Sequence, residues 1–327
     1  MSVAFIPPPL QAFPLISDWL SFTEMGGVDL LSGRVELGQG IATALIQIAA
    51  DELDIDMNTI NLIQGHSEIS PAEGPTVGSL SITFGGQSIR IASAAARALM
   101  LETAAGLLQT TASALTVRAG GIFKDGLETS LSYASLSRSV DLFVVAIDYA
   151  EPKSAIDRRI TGTSAPRVDL SARMNAGYLL HDMTLDGMLH GRVIQPPSLT
   201  SIADAIPELS NGATLVCDGQ FLSVVAQDEY TALTEARRLA NGIRWSNTSV
   251  GEVHPVDGLD GAISESEKLY NSDNLGAGIT EISITLTKPV LSHASIGPSC
   301  AVAHWQGDSL TVWAHSQNVF ALKTSLA

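Results

Sequence analysis

The residues best placed to do chemistry are Gly33-Arg34-Val35-Glu36-Leu37-Gly38-Gln39-Gly40. This strand-like run ends in a glutamine between two glycines and leads straight into Ile41 to Leu53, whose apolar residues recur at helical spacing. Glycines on either side let the backbone approach a ligand closely. The helix start behind them offers amide donors and a partial positive charge, which suit an anionic or carbonyl-like group. Gln39 itself brings an acceptor oxygen and donor hydrogens. The competing reading is an ordinary strand–turn–helix in which Gln39 faces water. A second run, Gly74-Pro75-Thr76-Val77-Gly78-Ser79-Leu80-Ser81, continues to Gly85-Gly86-Gln87. Its small residues and hydroxyls near another helix start form a cradle for phosphate oxygens. It lacks the Gly-Lys-Ser/Thr ending of a triphosphate-binding loop and the glycine fingerprint of a dinucleotide fold. A surface loop is the alternative.

Other chemistries are poorly represented. The seven histidines (His66, His181, His190, His254, His293, His304 and His315) include no helical metal-ligand pair. No Gly-x-Ser-x-Gly elbow occurs. The stretch 246–280 carries six carboxylates against one lysine, and a solvated face explains them. The only cysteines, Cys217 and Cys300, form no Cys-x-x-Cys pair, so an iron–sulfur cluster or a cysteine-rich zinc site on this chain is excluded. The formal net charge of −16, from 18 Lys and Arg against 34 Asp and Glu, argues against a nucleic-acid binder and against docking on anionic lipid. Only 16% of residues are charged, against roughly 25% in ordinary domains, which points to surface covered by another subunit.

These residues need a frame. A chain of 327 residues with 45% hydrophobic content buries a sizeable core, and at roughly 150 residues per domain it forms about two domains. The first ten or so residues, with Pro7, Pro8 and Pro9, read as an extended arm. Val28 to Leu37 reads as a strand, interrupted by a Ser32-Gly33 turn signal. Helices are predicted over Ile41 to Leu53 and Arg90 to Leu108, and strands over Asn61 to Gln64 and Thr116 to Phe123. Leu127 to Tyr133 leads into a short helix. A linker with Pro152 and Pro166 follows around Glu151 to Arg167. A strand is predicted at 187–194, apolar stretches follow at 214–217 and 221–226, and an amphipathic helix at Tyr230 to Asn241 leads into a strand that reaches Trp245. Ser246 to Thr280 reads as a long acidic loop. The remainder returns to strand alternation (ISITL, CAVAHW, LTVWAHS) and opens a helix at Val319. No apolar run is long enough to span a membrane, and the N-terminus lacks the basic region of a signal peptide. The cytoplasm is the expected location, with membrane association only through a partner.

The runs VELGQGIATALIQIAADELDIDMNTINLIQG and EGPTVGSLSITFGGQSIRIASAAARALML resemble the molybdenum-cofactor-binding subunit of the xanthine dehydrogenase/aldehyde oxidase family. They are most similar to its rearranged branch, which includes isoquinoline oxidoreductase and the bacterial nicotinate dehydrogenases. ITGTSAPRVDLSARMNAGYLLHDMTLDGMLHGRVIQPPS resembles the start of that family's α/β hammerhead domain. KPVLSHASIGPSCAVAHWQGDSLTVWAHSQNVFALKTSLA resembles the start of its next cofactor-binding domain. The resemblance implies an α+β fold. Residues 1–150 would form part of a molybdopterin-binding domain with the Gly-Gln-Gly motif, and 151–246 the hammerhead domain. An acidic loop over 247–280 and the start of a second molybdopterin-binding domain over 281–327, completed by another chain, would follow.

By the same resemblance, Gln39 approaches the pyranopterin and its molybdenum, and Gly38 and Gly40 permit that approach. Thr76, Gly78, Ser79 and Ser81 lie near the cofactor, in bacterial members commonly molybdopterin cytosine dinucleotide. No metal ligand and no catalytic residue is expected on this chain. The general-base glutamate of the family lies several hundred residues further on and has no counterpart here, so it would come from a second molybdenum-binding chain. Gln317 falls in a Ser-Gln-Asn run like a family segment but carries no assigned role. Gly297 stands where isoquinoline-type relatives have a Glu in His-Ala-x-Met-Glu-Pro. The implied reaction is hydroxylation of an N-heteroaromatic carbon, as in nicotinate, with oxygen from water. Electrons would leave through [2Fe–2S] clusters on an iron–sulfur subunit, with a cytochrome or flavin subunit as a further candidate partner. The chain then reads as one half of a split subunit or a truncated product, inactive alone. A subunit of an aldehyde oxidase, a non-catalytic scaffold half, and an unrelated phosphate- or nucleotide-binding protein are the other readings.

Overall fold

The computed structural model describes residues 5–175, 179–198, 200–210, 212–247, 284, 291, 293–295 and 297–327. The chain divides into two compact units: Met1–Met183 with Ser299–Ala327, and Thr184–Pro298.

The first unit opens with a helix, not with the extended arm expected of Pro7 to Pro9. Helix α1 (Pro8–Ala12) starts at its first proline because that position needs no amide donor and suits a fixed φ. Leu10, Ile16 and Trp19 then enter the core, and the Trp19 indole donates to the Phe13 carbonyl at 2.9 Å. Strands β1 (Leu20–Phe22) and β2 (Val28–Ser32) pair antiparallel. Helix α2 (Ile41–Leu53) crosses over to β3 (Ile60–Gln64), which runs parallel to β2 with Ser32 opposite Gln64. The strand expected over 28–37 therefore stops at Ser32, and residues 33–40 leave the end of this central strand as an irregular turn.

Helix α3 (Gln87–Leu107) packs on α2. Ala92, Ala95, Ala96 and Ala104 are buried along it, and their small side chains allow close approach. A π-helical turn at Ser81–Gly86 precedes α3, giving the second half of the glycine-rich run a regular form that its lack of periodicity did not show. The strand expected over 116–123 is a hairpin. Strands β4 (Leu115–Arg118) and β5 (Gly121–Lys124) fold back at Ala119 and Gly120, both at positive φ, and β6 (Leu127–Ser132) completes a meander before the short helix α4 (Tyr133–Leu136).

The stretch 151–167 is fastened to α2. The buried Asp51 carboxylate accepts the amides of Arg159, Ile160 and Thr161, and those bonds hold its acid strength above normal despite burial. Buried Glu52 pairs with Arg90 at 2.6 Å and accepts the Lys153 amide. A short helix α5 (Leu170–Arg173) follows.

The second unit is a three-stranded antiparallel sheet of β7 (His190–Ile194), β9 (Ala213–Asp218) and β10 (Phe221–Ala226), with β10 central. β8 (Ile202–Ala205) pairs with a later strand, β11 (Arg244–Ser246). Helix α6 (Glu229–Gly242), capped by Asp228, buries Ala236 and Leu239 against Ile194, Leu222 and Val224. Apart from Ser246, which ends β11, Asn247 and Ile284, the stretch expected as an acidic loop and the ISITL strand lie outside the described residues. The first unit is completed by the hairpin β12 (Ala301–Gln306) with β13 (Ser309–Ala314) and by helix α7 (Val319–Leu326). Among the described residues, no helix is long and apolar enough to cross a membrane.

Candidate functional site

The turn after β2 and the loop before α3 meet in one cleft of about 520 Å³ in the first unit. Gln39 and Gly40 line one side; Thr76, Gly78, Ser79 and Ser81 line the other; Leu37, Ile41, Ala44, Val77 and Ile82 supply apolar walls. Of the residues singled out in the sequence, only Gly38 stands outside the lining. It is exposed next to Gln39, with φ at +103°, and a side chain there would meet nothing within 4 Å. Leu37, Val77 and Ile82 are each about half exposed, an apolar surface that something else must cover.

The Gly-Gln-Gly turn is held mainly by bonds within itself. Gln39 Nε2 donates to the Val35 carbonyl at 3.1 Å, and its Oε1 accepts the Leu37 amide at 2.5 Å. Gly38 and Gly40 both take positive φ, which glycine adopts without strain. One expectation fails here. The amides at the start of α2 are not free for an external anion, because Glu36 fills them: its carboxylate accepts from Gly38 at 2.7 Å, Gly40 at 3.0 Å and Ala42 at 3.0 Å. A short acidic side chain five residues before the helix reaches that terminus more cheaply than a ligand does. Arg167 closes the outside, donating to the Gly38 carbonyl at 2.8 Å and approaching Glu36 at 3.5 Å. Asp169 in turn pairs with Arg167 at 2.7 Å and with Arg173, and these guanidiniums hold its carboxyl at about 2.

The loop on the other side is held from beneath. Arg34 and Glu73 are fully buried and pair at 3.3 Å. Glu73 also accepts the Ser32 hydroxyl at 2.6 Å and the Gly33 amide at 2.8 Å, while burial pushes its carboxyl up against the pull of those donors. Arg34 donates to the Pro75 carbonyl, fixing the loop directly, and its Nη2 is buried without a partner among the described residues. Gly85 is required above this pair: a Cβ there would stand 2.6 Å from Glu73 Oε2. Thr76 Oγ1 accepts the Val35 amide, tying the two sides together. Gln317, just before α7, makes reciprocal bonds with Thr76 at 2.8 and 3.0 Å. The sequence reading missed Arg34, Glu36, Glu73 and Arg167 and left Gln317 unassigned. One signal was present: Arg34 is the only Lys or Arg among the first 89 residues, and a lone cation in an apolar stretch needs a buried anion.

The donor set suits an organic group with polar edges. Thr76 is buried and its hydroxyl positions the loop, whereas Ser79 is exposed and Ser81 half-buried at the cleft. Ser79 and Gly78 take consecutive left-handed conformations, and their amides have no protein acceptor among the described residues. Gln39 keeps one amide hydrogen uncommitted. Free donors on one lip, a glutamine on the other and apolar walls between them fit a flat heterocycle with a phosphate-bearing arm. A bare metal ion is not provided for: among the described residues no cluster of His, Cys, Asp or Glu could ligate one, and both cysteines are free thiols.

Residues 8–173 match the family described as molybdopterin cofactor-binding domain. The chain is 31% identical over 331 residues to a subunit of nicotinate dehydrogenase from Pseudomonas putida, covering 94% of this chain and 28% of that protein. It is 30% identical over 186 residues to a membrane-bound aldehyde dehydrogenase [pyrroloquinoline-quinone] of Gluconacetobacter polyoxogenes, covering 55% of this chain and 24% of the relative. It is 27% identical over 231 residues to the beta subunit of isoquinoline 1-oxidoreductase from Brevundimonas diminuta, covering 58% and 29%. The chain thus spans about a quarter of the length of these curated relatives. The matched residues contain both lips of the cleft, and the chain belongs to the molybdopterin cofactor-binding domain family.

Proposed function

We propose that this chain forms the pterin-holding part of a molybdenum hydroxylase subunit, with Gly38, Gln39 and Gly40 on one lip of the cleft and Thr76, Gly78, Ser79 and Ser81 on the other. The observation that carries this reading is the convergence of both segments on one cleft within the residues matched to the family. When bound, molybdenum and its pterin supply oxidation at carbon with water as the oxygen source. The chain's own residues bind and orient. Gln39 offers its amide to a polar edge of the heterocycle, and the bare backbone at Gly38 leaves room for close approach. The amides and hydroxyls of Gly78, Ser79 and Ser81 take oxyanion oxygens. Leu37, Ile41, Val77 and Ile82 exclude water from the cofactor's faces. None of these residues moves a proton, and the family resemblance assigns the general base to a partner chain.

Several finer assignments rest on resemblance. The cofactor is the cytosine dinucleotide form, and the partners are a second molybdenum-binding chain and an iron–sulfur subunit in a cytoplasmic complex. Residues 151–246 form the hammerhead domain, and 281–327 begin the next cofactor domain. The name of the Pseudomonas relative supports an N-heteroaromatic substrate such as nicotinate. An aldehyde is the second reading, favoured by the name of the Gluconacetobacter relative.

The test is metal analysis and pterin fluorescence after oxidation of the complex co-purified with this chain. The wild type is expected to carry both, and Gln39→Ala to lose most of both, since the exposed Gln39 supports only its own turn. Full retention of both by Gln39→Ala would reduce the chain to a scaffold and overturn the reading. Turnover of nicotinate against an aldehyde separates the two substrate classes.

A further inference from the structure

A second cleft in the first unit, of about 470 Å³, shares no residue with the first. It lies between the end of α2, the middle of α3, β4 and the segment 153–159. Four cations, Arg97, Arg118, Lys153 and Arg159, line it against two carboxylates, Asp54 and Asp157. That excess stands out in a chain whose acids outnumber its bases by 34 to 18. Asp54 sits at the C-cap of α2 and serves two of the cations at once, Arg97 at 2.8 Å and Lys153 at 2.5 Å. Asp157 accepts the Ser154 hydroxyl at 2.6 Å. The guanidiniums of Arg118 and Arg159 are left with no carboxylate partner among the described residues.

Both are placed to be used. Arg118 lies over the Phe123 ring, 5.1 Å from its centre, which holds its plane against the meander. Arg159 is anchored through its own amide to buried Asp51 while its side chain lines the cleft. The exposed side chain of Thr116 adds a hydroxyl to the lining, and Ile156, 91% exposed, supplies an apolar face beside the charges. Guanidinium groups recognise oxyanions by paired donors, and the volume falls within the roughly 300–1,000 Å³ of small-ligand sites.

We propose that this cleft binds a phosphate ester of nucleotide size, with the phosphate between Arg118 and Arg159 and the organic part against Ile156. The site is independent of the cofactor reading.

Titration calorimetry of the full chain with pyrophosphate, ADP and citrate tests this. Pyrophosphate and ADP are expected to bind saturably, and ADP more tightly, because only ADP reaches the apolar face. Arg118→Gln and Arg159→Gln, which break no ion pair, should each weaken binding about tenfold or more. The double variant should keep wild-type molybdenum and pterin content in the purified complex, so failure here and failure of the cofactor reading are distinguishable. Absence of saturable binding by the wild type, equal affinity in the double variant, or citrate binding as tightly as pyrophosphate would each overturn the proposal.

Discussion

The two lips of the Gln39 cleft are built on opposite principles. The Gly-Gln-Gly lip is fixed mostly by its own neighbours: Glu36 reaches Gly38, Gly40 and Ala42, and Gln39 reaches Leu37 and Val35, all within six residues. The Thr76–Ser81 lip makes few bonds of its own and is held by Arg34, itself paired with Glu73, and by Gln317, across separations of 41 and 241 residues. A locally tied turn keeps its shape wherever the chain places it. A loop hung on a buried ion pair keeps its shape only while the core is intact. The difference assigns stability and binding to different residues in the same cleft.

The largest expected effect comes from cutting the buried pair. Glu73→Ala leaves Arg34 charged and unpaired in the core, and denaturant unfolding of the chain should show a loss of roughly 3–5 kcal/mol. A loss under about 1 kcal/mol would mean that the second lip does not hang on that pair. The local lip has an acid-sensitive outer clamp. Asp169 titrates at about 2 in the folded chain against an ordinary 3.8, so the clamp's stabilisation is complete above pH 3.8 and disappears as pH falls through 2. Partial exposure of its arginines reduces it to about 1–2 kcal/mol. Asp169→Asn should remove that acid-dependent component from stability measured between pH 5 and 2, and an unchanged profile would break the clamp assignment.

Glu36→Gln should cost about 1 kcal/mol through weakened capping of α2. It should also leave the Thr76 side undisturbed, as amide exchange of residues 76–81 would report. The smallest effect is expected for Gln317→Ala, about 0.5–1.5 kcal/mol for one side-chain bond, because its backbone bond to Thr76 survives. Its signature is faster amide exchange at Thr76 with none at Gly40. Coupled changes on both lips in either variant would erase the contrast between them.

Much of this was legible in the sequence. Helix α2 has the bounds that periodicity and Gly40 dictate, whereas α3 starts three residues before the expected Arg90, where the π-helical turn feeds it, and ends one residue before the expected Leu108. The hairpin at Ala119-Gly120 was hidden because Ala119 adopts positive φ without being glycine. Pro8 misled in the opposite direction, since a proline that stops a helix elsewhere starts one at its first position.

The sequence alone determined what depends on neighbours: helices α2 and α6, the glycine-flanked turn and the glutamine within it, because helical spacing and φ preferences act over a few residues. Tertiary structure alone decided that Thr76 stands against Val35, that Glu73 lies beneath Gly33, and that Arg118 and Arg159 share a cleft. Pairing between distant charges depends on the path the chain takes through space, and a buried charge takes whichever partner that path brings within reach.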